Sequence, residues 1–293
     1  MSSIVGIAGL IPTIEAIKIS KSVAIANKES IVCGWKVLLK YIKKYKTKII
    51  PIDSEHFSIM ELSKNCDDDE IEEIIITASG GPFLNTPINK LQYVKPNQAI
   101  KHPNWSMGKK ISIDSSNLMN KVFEIIEASK LFRFNVNKYR IIIHPQSYVH
   151  SIIRFKNGLI KMILHDADMS IPISNTIYGY KNKIENIKKI NSNTLTKLSF
   201  FEVNKKRFPA IKLINKCLKS GPMAPNILNA ANEELVNLFL EKKIKFTDIV
   251  KNLNRIFNHR EFGKYANKNS KSIVDIYESD RWARLKTQAI SVR

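Results

Sequence analysis

Cysteine is scarce in this chain. Cys33, Cys66 and Cys217 are odd in number, widely spaced and without a metal-ligand or redox pairing pattern. That excludes a disulfide-stapled scaffold and a cysteine metal site, and it fits reduced thiols in the cytoplasm. No apolar run approaches the roughly 20 residues that a membrane-spanning helix needs. The N-terminus lacks a charged segment followed by an apolar stretch, so no export signal is read there. Acidic residues are also few, 26 Asp and Glu against 47 Lys and Arg, for a net charge of +21. Such an imbalance raises the question of nucleic acid. The lysines, however, are scattered through a sequence rich in Ile and Asn, which reads as compositional drift rather than a basic stripe. The densest basic runs are KYIKKYKTK (40–48) and KNKIENIKKI (181–190). Charge runs are usually solvated faces, and the same field draws in a phosphorylated substrate or an anionic cofactor. We therefore expect no nucleic-acid and no membrane partner.

What is present is enough for a sizeable core: 293 residues, 44% of them hydrophobic, predict two or three domains. Residues 1–48 read as a strand end (Ile4–Ile7), a helix opened by Pro12, a strand (Val23–Ala26) and a helix from Ser30, half of a doubly wound sheet. A central α/β segment follows over 49–178. Within it, EIIITA (73–78) is a strand running into Ser79-Gly80-Gly81-Pro82, a turn that exposes N–H groups and a hydroxyl. YRIIIHPQS (139–147) and SIIRFKNGLIKMILH (151–165) read as strands, the second folding back at Asn157-Gly158. A polar linker spans 179–204, and 205–293 reads as helical, with apolar spacing over 225–244 and a second start at Thr247.

The stretch KHPNWSMGKKISIDSSNLMNKVFE (101–124) carries the strongest chemical signal. A polar loop with His102, Asn104, Trp105 and Ser106 precedes a short predicted strand and then a helix. That helix places Asn120, Lys121 and Glu124 on one face, because positions i and i+4 align. An amide and an ammonium at a helix start suit a phosphate, and the carboxylate suits a metal. In KIIPIDSEH (48–56), Asp53 and Glu55 lie two apart, so an extended chain presents them as paired carboxylates at a strand end. With Glu124 they make an all-oxygen set for Mg²⁺ or Mn²⁺. Each signal alone also has a plain reading: a Lys121–Glu124 surface pair worth roughly 0.2–0.5 kcal/mol, and a solvated strand end.

Taken together, AGLIPTIEAI (8–17), ANKES (26–30), DSEH (53–56), SGGPF (79–83), HPNWSMGKKIS (102–112), DSSNLMNK (114–121) with Glu124, IHPQS with HS (143–151) and NAANE (229–233) resemble the 1-deoxy-D-xylulose-5-phosphate reductoisomerase family, in order and over nearly the whole chain. The resemblance implies an α/β fold: a partial doubly wound NADPH-binding domain (1–48), a central α/β catalytic domain (49–178), a linker (179–204) and a C-terminal helical domain (205–293). It also implies NADPH-dependent rearrangement and reduction of 1-deoxy-D-xylulose 5-phosphate to 2-C-methyl-D-erythritol 4-phosphate, in isoprenoid biosynthesis, by a homodimer. One divalent ion, Mn²⁺ or Mg²⁺, would sit on Asp53, Glu55 and Glu124. Ser79, Ser115, Asn120 and Lys121 would hold the substrate phosphate. Lys28 and Ser54 would meet its hydroxyl end, with His102 closing over it and Trp105 and Met107 on a lid. Asn27, Glu29, Met107 and Gly108 would contact NADPH, and Ser147 and His150 would stand behind the ligands. The family's first strand–turn–helix carries a glycine-rich phosphate loop, and no G-x-G-x-x-G stands near the start of this chain. That departure predicts truncation by on the order of 100 residues. It keeps open a split or decayed gene product that binds metal and phosphorylated ligand without reductase activity, and a basic nucleic-acid binder beside it.

Overall fold

The protein is described by a computed structural model over residues 1–181, 184, 187 and 190–291. Its N-terminal layer is built on two short parallel strands, β1 (Ser22–Ile25) and β2 (Lys48–Pro51), in register from Ser22 opposite Lys48 to Ile25 opposite Pro51. Helices α1 (Leu10–Ile19) and α2 (Lys28–Tyr45) pack on them. α2 starts where Asn27 caps it, accepting the Ser30 N–H at 2.7 Å. At Gly34 the helix leaves helical geometry, and a Cβ there would lie 2.4 Å from Leu10 Cδ1, so only glycine lets α1 approach this closely.

Two sequence expectations fail in this layer. Ile4–Ile7 is not a strand: Ser2 alone bridges to Ile25, and Ile7–Gly9 is a 3-10 turn. The second helix begins at Lys28 rather than Ser30, because the cap is Asn27.

The chain then turns into α3 (Ser54–Leu62) and a five-stranded mixed sheet in the order β6-β5-β3-β4-β7. β3 (Ile71–Ala78) is central, parallel to β4 (Tyr139–Ile143) and antiparallel to β5 (Val149–Phe155). β6 (Ile160–Leu164) closes the predicted hairpin and forms one edge. The other edge is β7 (Phe201–Glu202), which lies inside the stretch read as linker and pairs with β4. The crossover from β3 to β4 carries the 101–108 loop, helix α4 (Lys109–Ser116) and helix α5 (Met119–Leu131). A short strand was expected where α4 stands. KISID (110–114) alternates in polarity over five residues, and that run is too brief to separate period 2 from period 3.6.

Helices α6 (Ala224–Leu240), α7 (Phe246–Phe257) and α8 (Ile273–Ser291) follow. Their apolar faces share one core with α2 and α5, in which Val32, Phe123 and Ile126 meet Ile227, Ala231 and Leu235. Shorter helices fill the connections. The C-terminal helices therefore press on the backs of the elements that carry the polar residues singled out by the sequence. Among the described residues, no helix is long and apolar enough to cross a membrane.

Candidate active site

Six chain segments converge on one pocket of about 260 Å³. Its walls include Lys28, Asp53, Ser54, Glu55, Ser79, His102, Trp105, Met107, Ser115, Asn120, Lys121 and Glu124. Ser147, His150 and Met169 complete it.

The carboxylates arrive differently from the sequence expectation. β2 ends at Pro51, and Asp53 is the N-cap of α3 with Glu55 in the first turn. They converge through cap geometry, not strand alternation. The signal was legible, since Asp53 before apolar pairs three apart (Phe57 with Met60, Ile59 with Leu62) is a helix start. Glu124 comes from α5, and one oxygen from each of Asp53, Glu55 and Glu124 lies within 4.8 Å of the others.

Two lysines balance this charge. Lys28, at the start of α2, donates to Asp53 Oδ2 at 2.8 Å and Asn120 Oδ1 at 3.0 Å, and its Nζ lies 3.7 Å from Glu124 Oε1. Lys121 donates to Glu55 and, at 2.7 Å, to Glu124 Oε2. Burial lowers the Lys28 ammonium, but Asp53 and Glu124 outweigh it and hold it well above its ordinary value. Burial and the like charge of Glu124 push Glu55 up to about 8, against the pull of Lys121. Three crowded carboxylates, one of them reluctant to ionise, fit a hard divalent cation with oxygen ligands.

A second group, Asp53, His56 and Glu127, also lies within 4.8 Å. His56 is fully buried and its Nε2 donates to the Glu124 carbonyl at 2.9 Å. That leaves Nδ1 facing Glu127 Oε2 at 3.6 Å and Asp53 Oδ1 at 3.8 Å. Burial works against its proton, yet Glu127 and Asp53 raise it to about 9. An imidazolium thus answers these carboxylates, behind the pocket wall, and the pocket-facing trio is the better cation site.

The donor side is equally specific. His102 Nδ1 accepts from the backbone N–H of Asn104 at 3.1 Å and of Trp105 at 2.9 Å. Burial and the nearby Lys121 lower His102 to about 4, so the ring is neutral at pH 7 and its proton sits on Nε2. Nε2–H then donates to Ser79 Oγ at 2.9 Å, which also accepts from Gly81 N–H at 3.1 Å. With both acceptor positions filled, the Ser79 hydroxyl has its own proton to offer a ligand.

The loop over the pocket is pinned at Asn104, whose amide donates to the Pro145 carbonyl at 2.6 Å and to Ser147 Oγ at 2.8 Å. Trp105 meets His150 edge-on at 5.9 Å, and His150 stacks on His165 at 3.8 Å. Burial, with His165 beside it, holds His150 well below its usual value. The sequence placed Asn104 in the loop without its anchoring role, and His165 and Met169 were missed as parts of this wall. His165 directly follows β6, which the predicted turn at Asn157-Gly158 lays beside β5 and His150, so this part of the wall follows from the hairpin once its register is known.

Three expected residues do not reach the pocket. Asn27 is buried and fully engaged: its amide donates to Ile4 O, to Gly6 O at 3.0 Å and to Glu29 at 3.3 Å. Glu29 is buried beside it, and Gly108 is exposed at the start of α4, where a Cβ would touch nothing within 4 Å.

Family models match the chain in three successive blocks. Residues 1–34 match 1-deoxy-D-xylulose 5-phosphate reductoisomerase, 49–132 match that enzyme's C-terminal domain, and 164–286 match the DXP reductoisomerase C-terminal domain. The chain is 47% identical over 292 residues to the 1-deoxy-D-xylulose 5-phosphate reductoisomerase of Pelagibacter ubique, spanning 100% of this chain and 75% of that protein. The chain belongs to the 1-deoxy-D-xylulose 5-phosphate reductoisomerase family. The reductoisomerase of Prosthecochloris aestuarii is 40% identical over 100% of this chain and 75% of its own length. Among solved reductoisomerase structures, one in complex with NADPH, fosmidomycin and magnesium superposes with a TM-score of 0.91 at 33% identity, covering 98% of this chain and 74% of that one. The Zymomonas mobilis reductoisomerase in complex with NADPH gives 0.89 at 36% identity, over 100% and 74%.

Proposed function

We propose that this pocket binds 1-deoxy-D-xylulose 5-phosphate beside one divalent ion, for the NADPH-dependent rearrangement and reduction to 2-C-methyl-D-erythritol 4-phosphate. The observation that carries this is the meeting of three carboxylates, two ammonium groups and a proton-offering serine in one pocket under an anchored loop. Asp53, Glu55 and Glu124 hold Mg²⁺ or Mn²⁺. The bound ion supplies Lewis-acid polarisation of the substrate oxygens and NADPH supplies the hydride. Without a metal, Lys121 is the counter-charge of Glu55 and Glu124. Once the carboxylates are neutralised otherwise, it is released toward the phosphate, together with Ser79, Ser115 and Asn120. Lys28 and Ser54 orient the hydroxyl end. His102, held neutral, keeps the Ser79 proton aimed inward, and Trp105 and Met107 exclude water. Met107 and Gly108 border the nicotinamide side. Asn27 and Glu29 serve that side by fixing the start of α2.

The edge strand β6 exposes Ile160 and Met162 with Leu159 beside them, an unpaired apolar edge that a second copy covers in a homodimer. The thiols are unpaired, Cys33 and Cys217 buried, as suits the cytoplasm. In the 40–48 run the rings of Tyr41 and Tyr45 lie 6.5 Å apart, with Lys18 over one and Lys44 over the other, so the run's aromatics engage lysines of this chain. Most of the 181–190 run lies outside the described residues. The test is Mn²⁺-dependent oxidation of NADPH by this protein with 1-deoxy-D-xylulose 5-phosphate. Turnover abolished by chelation supports the assignment. Metal and fosmidomycin binding without turnover supports the split or decayed alternative, and binding of neither contradicts both.

A further inference from the structure

The NAANE motif (229–233) lies on α6, away from the pocket walls, yet it is joined to them by a buried polar chain. α4 has eight residues and no side-chain cap, too short to hold its own position in water. Its faces are divided: Ile111 and Ser115 line the pocket, Ile113 enters the core, and Lys110 and Asp114 point the other way. Asp114 is almost fully buried, and its Oδ1 accepts from the amide of Asn232, itself without solvent exposure, at 2.8 Å. Its Oδ2 lies 3.2 Å from Lys110 Nζ, which also donates to Glu29 at 3.4 Å. Hydrogen bonds to a buried carboxylate are the strong kind. The C-terminal end of α4 bears on the Ser79 turn as well. Gly81 has φ +66, and a Cβ there would come within 2.6 Å of Ser116 Cα. Ser115 and the Ser79 turn therefore move together if α4 moves.

We propose that Asp114 and Asn232 are positioning residues: through their hydrogen bond the C-terminal helices hold α4 against the pocket and so set its affinity for the phosphate-bearing ligand. The inference rests on the reading of Ser79 and Ser115 as phosphate donors. The metal carboxylates stand on α3 and α5, outside this linkage, so the two affinities separate. Neither residue touches the ligand.

The test compares Asn232→Leu with the parent protein by titrating Mn²⁺ alone, followed by its paramagnetic resonance signal, and then fosmidomycin in saturating Mn²⁺. We expect fosmidomycin affinity to fall about tenfold, since small misplacements of a binding group are costly, with Mn²⁺ affinity changed less than about twofold. The exchanged pair, Asp114→Asn with Asn232→Asp, restores donor and acceptor in reverse and should recover most of the loss. It also serves if the leucine variant does not fold. Unchanged fosmidomycin affinity in Asn232→Leu, an equal loss of Mn²⁺, or an exchanged pair no better than Asn232→Leu or Asp114→Asn alone overturns the proposal. Ser115→Ala separates the levels. If it leaves fosmidomycin affinity unchanged, the phosphate reading falls and the proposal with it. If it weakens binding while Asn232→Leu does not, only the positioning role falls.

Discussion

Glu124→Gln removes one charge and almost no volume at a position with no solvent exposure. In the parent, the carboxylate accepts from Asn120 and, at 2.7 Å, from Lys121, and stands 3.7 Å from Lys28. Two effects of opposite sign follow. For the metal, the amide withdraws one of three anionic donors. Breaking a buried charge pairing costs about 3–5 kcal/mol, which at about 1.4 kcal/mol per tenfold is a loss of roughly two to three and a half orders of magnitude in Mn²⁺ affinity. For the metal-free fold, the substitution relieves crowding, because after burial it is the charge of Glu124 that keeps Glu55 at about 8. Glu55 ionises more readily in the variant and remains a partner for Lys121. We therefore expect a melting temperature within a few degrees of the parent, or about 1 kcal/mol. Calorimetric Mn²⁺ titration, thermal denaturation and NADPH oxidation read the three quantities. A folded Glu124→Gln protein that binds Mn²⁺ as tightly as the parent would refute the metal assignment.

Lys121→Met should instead weaken fosmidomycin in saturating Mn²⁺ by at least about tenfold, through loss of a charge-assisted bond worth roughly 1.5–3 kcal/mol; unchanged affinity moves the phosphate elsewhere. Stability of the metal-free protein should fall as pH rises from about 4.3 to about 9, the span between the lowest unfolded value and the highest folded one of Glu55 and His56. Glu55 (about 8) and His56 (about 9) keep protons in the fold that the unfolded chain has already released, so their contributions are complete at low pH. The Glu55 contribution is lost between its unfolded value of about 4.3 and its folded one, and that of His56 from about 6.5 upward. Apparent Mn²⁺ affinity should climb over the same interval and level near pH 8, where Glu55 no longer holds its proton. Flat profiles of melting temperature and Mn²⁺ affinity from pH 6 to 9 contradict this. Met162→Lys, on the exposed face of β6, should convert a dimer to monomers in sedimentation; a parent that sediments as a monomer removes the edge-pairing proposal.

Much of this was legible because the chemistry-bearing residues sit in long motifs. HPNWSMGKKIS and DSSNLMNK, with Glu124 three residues on, group the loop, Ser115, Asn120 and Lys121 in sequence, and these line one pocket in the fold. Strands with strong β-branched runs, such as EIIITA, were also plain. Short elements were not. α4 alternates like a strand, and Asp53-Ser54-Glu55 reads as extended unless the cap is recognised, so carboxylates that do converge were brought together by the wrong geometry. Partnerships across large sequence separations left no local trace. The His56–Glu127 approach spans α3 and α5, Asn104 reaches Ser147, and Asn232 reaches Asp114. Each depends on packing that only the assembled core supplies.

The most direct test of the central claim is anomalous diffraction at the manganese edge from crystals of this protein grown with Mn²⁺. The account predicts one strong peak at about 2.0–2.3 Å from an oxygen of each of Asp53, Glu55 and Glu124. No peak there, or a peak among Asp53, His56 and Glu127, contradicts it.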